Sequence, residues 1–382
     1  MRAEHAAPGA WRRAFGLRDA GVYYALLLLV LVLAVATAAT GRPSYLNPVN
    51  LANILYQSSL IGIMGIAMTV ILITGNFDLS VASVAALAAA VLISVAGLIG
   101  FWPGVVVALL VAAAVGALNG AIVQYIGINA FIVTLGTLTA IRGLVLIVTD
   151  GRSLSVDNTD VIAQMSQFEG GRIAAHMPML ALGAALIVIA GVMLVMRRGS
   201  RMGSFGIGAW GIGLAVAGAL AGPRVRIANP VLYMAAFALI TWFVLRFTTI
   251  GRRVYAVGGN PEAARLSGIN VNRYRMAGFL LSSLAAGFAG VLFACRLAAI
   301  NPTALQGAEL TVIASAILGG TSLLGGAGSV VKTVIGALLL FTLNNGFNIL
   351  NMGANYQGVI EGTVVVAAAA IYTVGSRRRP GH

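Results

Sequence analysis

The chain has 382 residues, of which 59% are hydrophobic and 9% are charged. Because a soluble domain carries about a quarter charged residues, this composition excludes a water-soluble globular protein and indicates a membrane protein. Its 24 Lys and Arg residues exceed its 10 Asp and Glu residues, which gives a formal charge of +14. In so apolar a chain this excess is typical of cytoplasmic loops and argues against a nucleic-acid-binding surface.

Twelve apolar runs follow one another along the chain, and each is read as a membrane-crossing α-helix. They extend over residues 22–40, 51–74, 79–99, 102–124, 130–148, 178–196, 205–221, 229–247, 276–295, 309–321, 329–350 and 356–375. The sequence therefore predicts an all-α membrane protein with about twelve transmembrane helices, which together form one transmembrane domain over residues 1–382. The first run is expected to stay in place as an uncleaved helix.

The cations predict the orientation of these helices. Twelve crossings put both termini on one side, and the connecting loops then alternate between the two sides. One set of loops and termini holds 17 of the Lys and Arg residues and the other set holds six. Because cytoplasmic loops carry the excess of cations, both termini are expected in the cytoplasm. Residues 149–177 then face outward, and residues 248–275 face inward.

Two parts of the chain resemble each other and predict an internal repeat over about 51–148 and 276–375. Three short matches occur in the same order: Asp78-Leu79-Ser80-Val81 with Glu309-Leu310-Thr311-Val312, Gly116-Ala117-Leu118 with Gly336-Ala337-Leu338, and Gly136-Thr137 with Gly362-Thr363. By the helix count, the acid of the first copy faces inward and that of the second faces outward. The repeat is therefore predicted to be inverted, as in many transporters.

The acids that open the two copies are candidate site residues. Asp78 with Ser80, and Glu309 with Thr311, each begin an apolar run after a break that contains glycine. One interpretation is helix capping, since an acid near a helix start meets backbone N–H groups and the positive end of the dipole. The other is a translocation path lined by irregular backbone at a broken helix. The two interpretations are compatible.

Arg142 and Glu361 lie inside predicted helices at similar depth, about 8–10 Å below the outer surface at a rise of about 1.5 Å per residue. A lone charge in lipid is unfavourable, so opposite charges at equal depth predict a buried ion pair. Such a pair either fixes helix packing or belongs to the translocation path.

A short helix is predicted at 261–267 within the inward loop. Asn260 is a suitable N-cap, Pro261 suits the first helical position, Glu262 complements the helix dipole and Gly268 is a stop signal. An isolated helix of this length has little stability of its own, so caps at both ends indicate a purpose beyond connection. The alternatives are a solvated connector and a docking element for a cytoplasmic partner.

The sequence shows no pattern typical of a metal, nucleotide or other cofactor site. Cys295 is the single cysteine, and the 3 histidines lie far apart. A P-loop needs a glycine directly before its Lys-Thr pair, and Val331 stands before Lys332. We therefore expect neither a metal nor a cofactor.

Four segments of the chain resemble the permease subunits of monosaccharide ABC importers of the ribose/xylose type. They are Asn50-Leu51-Ala52-Asn53-Ile54-Leu55, Thr74-Gly75-Asn76-Phe77-Asp78-Leu79-Ser80, residues 256–269 (Ala-Val-Gly-Gly-Asn-Pro-Glu-Ala-Ala-Arg-Leu-Ser-Gly-Ile) and Leu318-Gly319-Gly320-Thr321-Ser322. The resemblance covers about 45–148 and 229–375. Ribose-type permeases have ten helices, and this chain departs from them by an extra apolar pair at about 178–221. In that respect it is similar to the longer xylose-type permeases.

The resemblance implies a type II importer permease that acts as a homodimer in the bacterial inner membrane. A periplasmic sugar-binding protein is then expected outside and an ATP-binding protein inside, against the short helix. Glu262 and Arg265, with Asn260 and Pro261, are the expected ATPase-coupling residues, and the permease itself is expected to hydrolyse nothing. The alternatives are an ABC permease for another solute (another sugar, a nucleoside or a branched amino acid), a twelve-span ion-coupled secondary transporter, and a channel.

Overall fold

The computed structural model describes residues 17–174, 176–195, 201–221 and 226–352, together with residue 359 and residues 362–363. This part of the chain is mostly helical, with short two-stranded ribbons in the loops. The prediction of an all-α membrane protein is therefore confirmed.

The helices are numbered here in chain order. They are α1 (Leu17–Ala39), α2 (Pro48–Ile73), α3 (Val81–Ile99), α4 (Phe101–Ala121), α5 (Ala130–Thr149), α6 (Thr159–Met165), α7 (His176–Val195), α8 (Arg201–Ala221), α9 (Asn229–Phe247), α10 (Thr249–Gly259), α11 (Pro261–Leu266), α12 (Val271–Leu297), α13 (Ala308–Leu318) and α14 (Val330–Leu350). π-helical turns at Ile122–Ile126 and Ser166–Gly170 continue α4 and α6. The ribbons pair β1 (Leu154–Ser155) with β4 (Ala299–Ile300), and β2 (Arg172–Ala174) with β3 (Arg226–Ala228), both antiparallel.

Nine helices in the described residues are long and apolar enough to cross a membrane: α1 to α5, α7, α9, α12 and α14. Helix α8 adds a shorter apolar stretch, Gly206–Val216. The predicted run at 356–375 lies outside the described residues except for residues 359, 362 and 363. The count of twelve therefore stays a prediction.

The predicted crossing at 309–321 has a different form in the structure. Helix α13 has 11 residues. Such a helix rises about 16 Å, roughly half the thickness of the hydrocarbon core. The irregular segment 301–307 precedes it and ends at Gly307, whose φ of +84° suits glycine. An irregular segment followed by a half-helix thus replaces the continuous helix that the apolar run suggested, an arrangement that membranes tolerate when protein surrounds it.

Helix α12 is the central helix, packed on α2, α3 and α4. Small residues allow the close approach: a Cβ at Gly290 would overlap the backbone of Ala85, and one at Gly116 would lie 2.9 Å from the carbonyl oxygen of Phe279. Glycines at such crossings are typical of helix packing in lipid. Helices α7 and α8, by contrast, pack mainly on each other.

Candidate coupling surface and buried polar sites

Helix α11 is short and capped at both ends. The side-chain oxygen of Asn260 accepts a hydrogen bond from the backbone N–H of Ala263 at 3.0 Å. After the helix, Gly268 adopts a φ of +78°, and the N–H of Ile269 donates to the carbonyl of Ala264 at 3.0 Å. The helix ends at Leu266, one residue before the predicted end. These caps fix the direction of α11 despite its length.

The two sides of α11 differ in chemistry. Ala264 is buried against Val257 of α10 and Val271 of α12. On the other side, Arg265 pairs with Glu262 at 3.4 Å, with side chains 53% and 79% exposed. Leu266 is 90% exposed, although the sequence gives no signal of it. The exposed side of α11 therefore presents one apolar side chain and one charged pair.

Glycines hold α10 and α11 against the end of α2. A Cβ at Gly258 would overlap the carbonyl oxygen of Ile73, so only glycine fits there. The N–H of Gly326 donates to that same carbonyl at 2.9 Å. Gly326 and its neighbour Gly325 have φ values of +72° and +87°, which glycine adopts at low cost. Three segments distant in sequence therefore meet at the carbonyl of Ile73.

Two side chains add to this junction. The hydroxyl of Tyr255 in α10 donates to the carbonyl oxygen of Gly328 at 2.9 Å. Burial raises the pKa of the Tyr255 phenol, so it stays a neutral donor at physiological pH. The Nε of Arg275 donates to the carbonyl oxygen of Thr74 at 3.3 Å. A displacement of α10 and α11 would therefore be transmitted to α2 and to the loop before α14.

A buried polar network surrounds Asp78. One carboxylate oxygen accepts from the N–H and the hydroxyl of Ser80, at 3.0 and 2.5 Å, and the other accepts from the Ser282 hydroxyl at 2.7 Å. The Ser80 hydroxyl accepts from the Asn119 amide at 3.0 Å, and Asn119 accepts from the Thr137 hydroxyl at 2.6 Å. The network joins the segment before α3 to α4, α5 and α12, and its groups satisfy one another as buried polar groups require.

Asp78 lies deeper in the protein than its position at the start of an apolar run indicates, and it is fully buried. Helix α3 begins at Val81, and Asp78 caps the turn before it. Its partner Ser282 lies eleven residues after Val271, the first residue of α12, so the contact is about 16 Å along that helix. Asp78 and Ser80 do share one site, but it is an interior site that ties four segments together.

Glu309 and Thr311 lie in a separate place, in the first turns of α13. Thr311 is half-buried. One Glu309 carboxylate oxygen is buried without a hydrogen-bond partner among the described residues. The structure therefore does not bring Glu309 together with Asp78. The inverted repeat that pairs these two acids stays a prediction.

Arg142 contacts the irregular segment before α13. Its two terminal nitrogens donate to the carbonyl oxygens of Ala304 at 2.7 Å and Leu305 at 3.0 Å. Leu305 has a φ of +57°, an unfavourable conformation for a non-glycine residue, which these bonds help to hold. Glu361 lies outside the described residues, so the predicted pair with Arg142 stays a prediction.

A buried ion pair joins Glu169 to Arg296, and no pattern in the sequence indicates it. Glu169, 2% exposed, accepts from Arg296 at 2.8 Å and from the Tyr56 hydroxyl at 2.6 Å. The Arg296 guanidinium lies over the Tyr56 ring, 4.0 Å from its centroid. The three groups join the π-helical turn after α6 to α2 and α12. Glu169 looks like an ordinary loop acid in the sequence, which gives no signal of its burial.

Comparisons with known proteins agree with the resemblance noted in the sequence. The family model described as "Branched-chain amino acid transport system / permease component" matches residues 50–369. Ribose import permease protein RbsC of Escherichia coli (strain K12) is 34% identical over 345 residues, which is 90% of this chain and 92% of that protein.

Two further relatives match at similar levels. Ribose import permease protein RbsC of Bacillus subtilis (strain 168) is 32% identical over 359 residues, 93% of this chain and 92% of the relative. Xylose transport system permease protein XylH of Escherichia coli (strain K12) is 32% identical over 373 residues, with the same coverage of 93% and 92%. No solved structure matches the chain. These identities are too similar to separate a ribose from a xylose permease.

Proposed function

The chain belongs to the transport permease family that matches residues 50–369, and from that premise we propose that it is the membrane-spanning permease of an ATP-driven sugar importer. It translocates a monosaccharide, xylose or a related sugar, from a periplasmic binding protein to the cytoplasm. Relatives named as ribose and xylose permeases, each matching at least 90% of the chain, support this substrate class.

Helix α11 is the observation that carries the proposal. It is too short to be stable alone, yet it is capped, exposes a charged pair and Leu266, and is held against the end of α2 through Gly258. We assign Asn260, Pro261, Glu262 and Arg265 to contact with a cytoplasmic ATPase, which hydrolyses ATP for the assembly. The homodimer is inferred from the resemblance of the sequence to importer permeases.

The proposed orientation places both termini in the cytoplasm, on the strength of the 17 to six division of cations. Asp157 and Arg265 are both exposed and lie on opposite sides in this arrangement. In intact cells, an impermeant maleimide should label Asp157→Cys and spare Arg265→Cys, while native Cys295 is buried. The reverse labelling pattern would reject the orientation.

Asp78, Ser80, Glu309 and Thr311 are proposed to border the translocation path. Asp78 and Ser80 support this as part of a chain of hydroxyl, amide and carboxylate groups in the interior, groups of the kind that bind sugar hydroxyls. Glu309 supports it through a buried carboxylate oxygen that finds no hydrogen-bond partner in the described part of the chain. The two sites lie near the start of α3 and the start of α13 respectively.

Uptake into proteoliposomes tests the proposal. The permease is reconstituted with its ATPase and binding protein, and uptake of radiolabelled xylose, ribose and leucine is measured with and without ATP. We expect uptake of a pentose that requires both ATP and the binding protein. Uptake of leucine alone would assign another solute class. Uptake driven by a proton or sodium gradient without ATP would indicate a secondary transporter, in which the buried Asp78 would be the candidate ion-binding group.

A further inference from the structure

A cleft of about 630 Å³ lies between the inner ends of α9 and α12. Val70 of α2 contributes to its wall, and α10 borders it on the side nearest α11. Gly268 and Ile269, which follow α11, also line the cleft, but its lining includes none of the residues assigned to ATPase contact and none of the Asp78 network. Its volume is within the range of about 300–1,000 Å³ that is usual for small-molecule sites.

The wall of the cleft beyond its mouth is mostly apolar over much of the depth of one lipid leaflet. Its lining residues run on α9 from Phe237 to Leu245, with Thr241 as the polar member, and on α12 from Tyr274 to Leu281. At about 1.5 Å per residue these stretches are about 12 and 10 Å long, against about 15 Å for half of the hydrocarbon core. Ile240, on this wall, is 62% exposed. The wall therefore fits an acyl chain lying along the two helices.

The mouth of the cleft is basic. Arg253 and Arg273 line it, and no carboxylate is among the described residues that form its lining. Arg253 is oriented by Tyr274, whose hydroxyl oxygen accepts a hydrogen bond from it at 3.3 Å. Arg273 lies in the first turn of α12, where a positive charge opposes the helix dipole. The arginine therefore does not stabilise the start of α12, and an anion at the mouth would balance its charge.

We propose that this cleft binds an anionic phospholipid, with an acyl chain along α9 and α12 and the phosphate between Arg253 and Arg273. Basic pockets between transmembrane helices at the membrane surface are a recurrent form of anionic-lipid site. An acidic protein surface would match the arginines but not the apolar wall at membrane depth, so a lipid fits both parts. The site goes beyond the transport function, and transport need not occur for the lipid to bind.

Native mass spectrometry of the full-length permease in neutral detergent tests the site. Palmitoyl-oleoyl phosphatidylglycerol and phosphatidylcholine with the same acyl chains are titrated separately, and bound lipid per chain is counted. Arg253→Gln with Arg273→Gln removes the two mouth charges. Arg246→Gln with Arg252→Gln is the matched control, because these arginines are exposed in the same region but do not line the cleft. Thermal unfolding in the same detergent verifies that each variant is folded.

We expect phosphatidylglycerol to bind more tightly than phosphatidylcholine, the mouth variant to weaken phosphatidylglycerol binding about 30-fold, and the control to change it little. Ala277→Trp, which fills the cleft and keeps both arginines, should also reduce binding, and free glycerol phosphate should not compete. Equal binding of the two lipids, equal losses in both charge variants, or competition by glycerol phosphate would overturn the proposal. Loss of ATPase co-purification in the mouth variant with lipid binding unchanged would show instead that the cleft contacts protein.

Discussion

The backbone N–H of Gly326 donates a hydrogen bond to the carbonyl oxygen of Ile73 at 2.9 Å, and the same carbonyl lies against Gly258. The last residue of α2, the loop before α14 and the helix that leads into α11 are therefore joined at one point. In the proposed orientation, a force applied to α11 by a cytoplasmic partner would act directly on α2 and on the loop that leads into α14. This junction gives the coupling proposal a physical route.

The fit at Gly258 can be tested by adding one methyl group. Gly258→Ala should destabilise the permease by about 1–3 kcal/mol, because the new Cβ would overlap the Ile73 carbonyl. Gly259→Ala is the control, since its Cβ would meet the backbone of Gly326 only at 4.0 Å. Denaturant titration in detergent measures the difference. Equal stabilities of the two variants would contradict the tight junction.

The network around Asp78 predicts different effects for two adjacent serines. Ser282→Ala removes a donor to the buried Asp78 carboxylate and should cost about 1–3 kcal/mol. Ser283→Ala is the control, because the Ser283 hydroxyl is buried without a hydrogen-bond partner among the described residues. Its removal should be neutral or slightly stabilising. If both variants lose the same stability, the Asp78–Ser282 bond is not a significant interaction.

The buried ion pair between Glu169 and Arg296 should contribute more to stability than the exposed pair between Asp150 and Arg152. Glu169→Ala leaves the mostly buried Arg296 without its carboxylate partner, which should destabilise the protein by about 3 kcal/mol. The cost is at the lower end for a buried charge because the Arg296 side chain is still 23% exposed to solvent. Asp150→Asn breaks an exposed pair with Arg152 at 3.5 Å and should change stability little. Unfolding midpoints of the two variants provide the comparison. A Glu169→Ala variant as stable as Asp150→Asn would show that the buried pair contributes little.

A double-mutant cycle tests the predicted contact between Arg142 and Glu361. Arg142→Met also removes the bonds to Ala304 and Leu305, and that loss appears in both arms of the cycle and cancels. If the two charges form a pair, the double variant with Glu361→Leu should regain about 0.5–3 kcal/mol relative to the sum of the single losses. Expression level and denaturant titration give the free energies. Additive losses would reject the pair.

Local signals in the sequence predicted α11 well. Its N-cap, first-position proline and glycine stop act on neighbouring residues, so the pattern that fixes the helix is visible within ten positions of the chain. The apolar run predicts a helix that continues to residue 321, whereas α13 ends at Leu318. The run continues into a turn in which the N–H of Thr321 donates to the carbonyl of Ala316. Hydropathy indicates which residues are removed from water, but it does not indicate where a helix ends within the apolar run.

The buried polar contacts could not be predicted from the sequence. Ser282 bonds to Asp78 across a separation of 204 residues, and no local pattern selects that serine over Ser283. Glu169 lies in a polar loop, yet it is buried because α2 and α12 close around it with Tyr56 and Arg296. Such contacts depend on which helices become neighbours, and that is decided by the fold as a whole.

ATP hydrolysis by the reconstituted importer tests the coupling role of α11 most directly. Glu262→Ala with Arg265→Ala removes an exposed pair, so the permease should still fold and insert. Asp150→Asn with Arg152→Ala removes a similar exposed pair at the opposite end of the molecule and serves as the control. We predict that the α11 variant loses most sugar-stimulated ATP hydrolysis and weakens co-purification of the ATPase, while the control behaves as wild type. Unchanged binding and stimulation in the α11 variant would show that α11 is only a connector and would contradict the coupling proposal.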